Sequence, residues 1–335
     1  MKLLISTLIG ILLLGSMFLG RHYMGFVDLS PEFVNSRYAN EESHFIKLGG
    51  LQQGIELHYR DEGLSSAQNP DAPVLILLHG IMASLHTWDG WVENLENDFR
   101  IIRIDIPGFG LTGPYPDGIY GIERTMDMLD QLSKALNIDS FFLAGNSMGG
   151  YISWNFAINY PEKVKRLILV DSAGYSFEMP MMLKLLDTPV LKDSMAFITP
   201  KFVVSQTLSE VYGDGSKVTD ETIERYHQMM LRQGNREAVV SVLQTLTDIN
   251  TDDIQQVKVP TLIQWGEKDA WIPLAHAQKF ADEIEGAKLI TYPGVGHIPM
   301  EEISDKTAQD AKKFLMLVIE EPKAIAPKSV IPAIL

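Results

Sequence analysis

One serine set between glycines carries the strongest chemical signal in the chain. Gly145-Asn146-Ser147-Met148-Gly149-Gly150 follows the apolar run Phe141–Ala144 and precedes a helix-like stretch beginning Tyr151-Ile152-Ser153-Trp154. A G-x-S-x-G alone is weak, because both residue types are common. Between a strand and a helix it is strong, because a sharp, strained turn lifts the seryl oxygen clear of the backbone. The turn brings together the residues two before and two after the serine, so both must be small. Gly145 and Gly149 meet that condition. A seryl oxygen becomes a useful nucleophile when a base takes its proton and an acid orients that base. His297 supplies the base from the loop Gly294-Val295-Gly296-His297-Ile298-Pro299, and Asp269 the acid from Trp265-Gly266-Glu267-Lys268-Asp269. Ser, Asp, His is one of the chain orders in which such triads occur. The expected chemistry is acyl transfer. Ser147 attacks an acyl carbon as His297 takes its proton, Asp269 holds the imidazole tautomer, and water releases the acyl group.

Other residues compete for these roles. Asp171 follows the strand-like Leu167–Val170, and Glu267 stands beside Asp269, so each is an alternative acid. Asp105 opens Asp105-Ile106-Pro107-Gly108-Phe109-Gly110, where fixing the loop is its expected role. His79 is expected to shape its loop by hydrogen bonding. His86, Trp88 and Trp271 either reach a pocket wall or pack; His44, His58, His227 and His276 read as surface or packing residues.

These groups must be carried by regular elements. His44–Leu48 and Ile55–Tyr59 read as a hairpin pair around Gly49-Gly50 and Gly54. Val74–Leu78, Arg100–Ile104, Phe141–Ala144, Leu167–Val170, Thr261–Trp265 and Lys288–Tyr292 are short apolar runs separated by amphipathic segments such as Glu123–Leu136. This alternation predicts a mostly parallel, doubly wound sheet of about eight strands with an antiparallel start, an α/β class fold. Between Gly174 and about Gln256 the strand rhythm stops, and helical periods carry Met179, Met181, Met182, Met195, Met229 and Met230. A helical cap over the C-terminal edge of the sheet is expected there, its methionines lining a pocket or packing between helices. The expected organisation is a segment 1–20, a spacer 21–43, a core 44–173 and 257–320, a cap 174–256 and an extended tail 321–335.

On these motifs the chain resembles the α/β-hydrolases from about His44 to Phe314. The likeness extends to Leu78-His79-Gly80-Ile81 and to Asp105-Ile106-Pro107-Gly108-Phe109-Gly110. Carried over by position, it implies that the backbone N–H groups of Ile81 and Met148 form the oxyanion hole. It also implies a capped serine hydrolase, needing no cofactor or metal, that cleaves esters of small to medium apolar acyl groups. A serine at the elbow disfavours relatives that use Asp there, the haloalkane dehalogenases and epoxide hydrolases. Hydrolases that cleave C–C bonds in aromatic ring-fission products remain an alternative, although they often carry Trp after the histidine, where Ile298 stands. A catalytically silent membrane-tethered binding protein on the same fold is the other.

Composition bounds partners and location. With 43 acidic against 28 basic residues the net charge is −15, which repels phosphate backbones, so no nucleic-acid partner is expected. Without cysteine there is no disulfide, thiolate metal site or cysteine nucleophile. After Met1-Lys2, Leu3 to Gly20 is free of charge. As a helix it would rise about 27 Å, close to the roughly 30 Å of bilayer hydrocarbon. It also lacks an A-x-A-like cleavage site. An uncleaved anchor is expected, with the catalytic domain periplasmic or extracellular; secretion after cleavage is the alternative. Because this segment precedes the sheet, a chain lacking Met1–Gly20 should be soluble and as active on ester substrates as the full chain, measured side by side.

Overall fold

The computed structural model describes residues 20–21, 23–49, 54–64, 69, 72–176, 197–246 and 253–317. In chain order the elements begin with α1 (Pro31–Tyr38), β1 (Ser43–Leu48), β2 (Ile55–Gly63) and β3 (Val74–Leu78). They continue through α2 (Asp89–Leu95), β4 (Arg100–Ile104), α3 (Ile122–Ala135), β5 (Phe141–Asn146), α4 (Met148–Asn159) and β6 (Val164–Val170). Three helices then stand before the next strand: α5 (Lys201–Val211), α6 (Asp220–Leu231) and α7 (Asn235–Thr245). The chain closes with β7 (Thr261–Gly266), α8 (Ala275–Glu283), β8 (Lys288–Tyr292), α9 (Pro299–Glu302) and α10 (Ser304–Leu315). The eight strands form one sheet in the order β1-β2-β4-β3-β5-β6-β7-β8. The β1–β2 and β2–β4 pairs are antiparallel and all others parallel, which is the expected antiparallel start.

Burial explains why the central strands read as unbroken apolar runs. Every residue of β5 and β7 is buried, because helices cover both faces of a parallel sheet. Helices α2, α9 and α10 pack with one another, as do α3 and α4. The crossover geometry leaves the C-terminal ends of β3, β5, β6, β7 and β8 along one edge, and every candidate site residue follows one of those ends.

Two stretches differ from expectation. β2 runs past Tyr59 through Arg60-Asp61-Glu62-Gly63, a turn-like sequence that stays in the sheet because its charges find partners on β4. Asp61 pairs with Arg100 at 2.6 Å, and Glu62 takes two hydrogen bonds from the buried Arg103. The expected spacer 21–43 carries a packed helix. Ser30 caps α1 by accepting the Phe33 N–H at 3.2 Å, Pro31 supplies the pre-set first turn, and Val34 is buried with Leu111 and Met229. Just before it, Leu29 exchanges backbone hydrogen bonds with Leu231 and Gln233, and Asp28 pairs with Arg236, so this stretch lies against α6 and α7.

The tail 321–335, the methionines 179, 181, 182 and 195, and the apolar segment before Gly20 lie outside the described residues. Among the described residues no helix is long and apolar enough to cross a membrane. Arg103, held by Glu62, Asp89 and the Leu85 carbonyl, ties β4 to its neighbours. Arg103→Ala would leave the buried Leu85 carbonyl and the partly exposed Glu62 and Asp89 carboxylates without their donor and should cost about 1–3 kcal/mol in denaturant unfolding.

Candidate active site

Ser147 sits at the turn between β5 and α4 with φ +54° and ψ −116°, a conformation that a side-chain-bearing residue adopts only when its surroundings hold it. Its N–H donates to the Val170 carbonyl at 3.1 Å, and its carbonyl accepts from Tyr151 and Ala173. The flanking glycines make this possible. A Cβ on Gly145 would lie 2.2 Å from the Gly149 carbonyl oxygen, and one on Gly149 would lie 2.3 Å from that of Leu78. The seryl side chain emerges into a cleft of about 790 Å³, counting its open mouth.

His297 reaches the same cleft from the loop after β8. Its Nδ1 is 2.7 Å from Asp269 Oδ2, in the loop after β7. Asp269 Oδ1 accepts the N–H groups of Trp271 and Ile272 at 2.7 and 2.9 Å, so the buried carboxylate holds three donors. Trp271 stacks on the imidazole, with ring centroids 5.5 Å apart and planes 30° apart. Nδ1 is thereby the protonated nitrogen, which leaves Nε2 to act as a base. Among the described residues the seryl hydroxyl makes no hydrogen bond, to Nε2 or to any other group.

The alternative acids part company here. Glu267 is exposed and accepts from the Thr291 hydroxyl. Asp171 is buried, and one of its oxygens lies within 4.8 Å of both a carboxylate oxygen of Asp269 and a ring nitrogen of His297. These three are the described side chains grouped closely enough to share a cation, but the 2.7 Å contact between Nδ1 and Asp269 is a hydrogen bond that already uses that nitrogen.

Ile81 lines the cleft with Ser147, and Met148 follows the serine in the chain. Met148 is the first residue of α4, where N–H groups have no partner within the helix. No hydrogen bond within the described residues uses the N–H of either Ile81 or Met148. His79 shapes this wall: its Nδ1–H donates to the Gly80 carbonyl at 2.6 Å and its Nε2 accepts the Ile106 N–H at 3.0 Å. Full burial pushes the His79 pKa down, consistent with a neutral ring. Asp105 fixes the neighbouring loop through the N–H groups of Leu85 and Leu111 and through His58, which is buried in that contact and not at the surface. Burial opposes ionisation of Asp105, yet the hydrogen bond from His58 outweighs it and holds its pKa low. His86 packs against Ser84 and Arg60, and burial depresses its pKa to about 3.

Three further residues hold the site together without any local spacing to announce them. The Asn146 amide donates to the carbonyls of Val170 and His297, binding the elbow to the histidine loop. Glu302, its side chain fully buried, accepts the N–H groups of Gly213, Asp214 and Gly296. Glu301 accepts from Thr87, Arg225 and Tyr226. The two adjacent carboxylates thus fasten the segment carrying α5 and α6 to the histidine loop, and the His297 N–H itself donates to the Val211 carbonyl at 2.7 Å.

Comparison with known proteins gives a consistent picture. A family model described as the alpha/beta hydrolase fold matches residues 73–302. A 2-hydroxy-6-oxo-2,4-heptadienoate hydrolase of Pseudomonas putida is 32% identical over 259 residues, covering 74% of this chain and 88% of its own. Lipase 1 of Psychrobacter immobilis is 29% identical, over 82% of this chain and 85% of its own. A thermophilic esterase from Thermogutta terrifontis superimposes with a TM-score of 0.69 at 25% identity, covering 81% of this chain and 98% of that one.

Removing the Glu302 carboxylate strips the N–H groups of Gly213, Asp214 and Gly296 of their acceptor. Glu302→Ala should lower unfolding free energy by about 3 kcal/mol and reduce turnover at temperatures well below its melting point, as calorimetry and assays on one preparation would show.

Proposed function

The chain belongs to the α/β-hydrolase family, and from that premise we propose that it is a serine hydrolase cleaving carboxylic esters of small to medium apolar acyl groups. On this reading Ser147 is the nucleophile, His297 the base and Asp269 its orienting acid. Nε2 takes the seryl proton as Oγ attacks the ester carbonyl. The oxyanion is received by the N–H groups of Ile81 and Met148, each such donor being worth roughly 3 kcal/mol. Nε2 returns the proton to the leaving alcohol, then deprotonates the water that frees the acid.

The observation that carries the ester reading is the cleft wall. Beside Ser147 and His297 it is formed by Ile81, Met82, Val203, Val204, Leu208 and Met230, and none of its described lining residues is cationic. An apolar acyl chain fits such a wall, and burying it there contributes about 0.8 kcal/mol per methylene. The relative from Pseudomonas putida supports a second reading, C–C bond hydrolysis. Its substrate, as named, is a dienoate, whose carboxylate would meet no positive side chain among the described lining residues. Ile298 adds to the apolar wall next to the histidine. For location, the uncharged run Leu3 to Gly20 supports membrane anchoring, with the catalytic domain periplasmic or extracellular.

A graded series of p-nitrophenyl acyl esters tests the proposal. Turnover should be lost in Ser147→Ala, and its chain-length optimum should report the depth of the cleft. Absence of turnover with any ester, alongside cleavage of a dienoate ring-fission product, would replace this reading with the second.

A further inference from the structure

Behind His297 stands a carboxyl group that the proposed mechanism leaves unused. Asp171 follows β6 at φ +43°, a left-handed conformation that its surroundings must impose. Its side chain is fully buried: Oδ1 accepts the Gly266 N–H at 2.9 Å, and Oδ2 has no partner. Asp269 and His297 lie within 4.8 Å of it. The other titratable groups facing Asp171 are Glu302 from α9 and Tyr292 from β8, neither of them a cation. Two carboxyl groups so close and so fully buried do not both carry charge. Asp269 has three donors stabilising its charge, and Asp171 has one. The proton therefore belongs to Asp171, whose carboxyl is pushed well above the usual range by burial first and by the Asp269 charge second. Its O–H then fills the hydrogen bond that Oδ2 lacks.

We propose that Asp171 is a positioning residue, a neutral carboxylic acid donating its hydrogen bond to Asp269 and able to replace it as the acid that orients His297. This rests on the triad reading given above. When the Asp269 carboxylate is removed, Asp171 releases its proton to solvent and the resulting carboxylate accepts Nδ1–H. The same imidazole then has a second anion to stabilise its protonated form.

The test is the rate at which a fluorophosphonate labels Ser147 in the full chain, followed across pH for Asp171→Asn, Asp269→Ala and the double variant. This readout does not depend on the natural substrate. Asp171→Asn alone should cost about threefold, Asp269→Ala about 10²-fold, and the double about the 10⁴-fold expected when a triad acid is missing, more than the singles combined. The acid limb of the Asp269→Ala profile should stay near the wild-type position, because an anion still faces the imidazole. In the double variant it should move to lower pH by about one unit. A double variant matching Asp269→Ala in rate and acid limb overturns the proposal. If the double variant does not fold, the acid limb of Asp269→Ala decides: kept in place it supports the proposal, and shifted down it overturns it. A wild-type chain that resists labelling overturns the triad reading and this proposal together, whereas a labelled wild type with additive variants overturns this proposal alone.

Discussion

Everything at the site depends on a backbone crossing with no space for a side chain. The elbow presses residue 145 against residue 149, and residue 149 against the carbonyls of residues 78 and 79. That contact lets Ser147 hold a positive φ, sets α4 starting beside it, and brings the loop after β3 alongside. A methyl group on either glycine would force apart β5, α4 and the β3 loop, which together form the wall facing the substrate. The unfavourable conformation of one residue is offset by the packing of three elements.

Electrostatics does the rest, with buried carboxylates recruiting backbone N–H groups. Asp105 organises the loop after β4, Asp269 the loop after β7, and Glu302 the loop after β8. In each case an acidic side chain is held by main-chain donors. Such bonds are short and directional, and they hold irregular segments as firmly as a ladder holds a strand. The acidic excess of the chain is thus only partly a surface property. Several of its carboxylates are internal fasteners.

Much of this architecture was legible from residue pattern, because it rests on local signals. Apolar runs of five or six residues bounded by Gly, Pro and Asp mark the parallel strands, and a serine between two glycines marks the elbow. Asp269 and Asp171 were both visible as residues following strands. What stayed hidden depends on partners distant in the chain. Asn146 binds a carbonyl 151 residues away, and Glu301 reaches Thr87 across 214. No spacing rule announces such pairs. The charged end of β2 lies beyond the apolar run Ile55–Tyr59, and its partners, Arg100 and Arg103, lie on a strand about 40 residues later. The Ser30-Pro31 cap of α1 was a readable signal, but an eight-residue helix with one buried side chain gives too little periodicity to stand out.

The adjacent pair Glu301-Glu302 has a consequence for how this fold acquires new substrates. Exchange of the insertion between β6 and β7 is a natural route to altered specificity, since it supplies much of the cleft wall. In this chain that insertion is not a free module. Its main chain at residues 211, 213 and 214 is bonded to the segment bearing His297. A graft that displaced those few backbone atoms would arrive with its own pocket and a misaligned base. The evolvable part of the insertion is therefore its side chains and its outer helical faces, while residues 211–214 are heritable with the catalytic core.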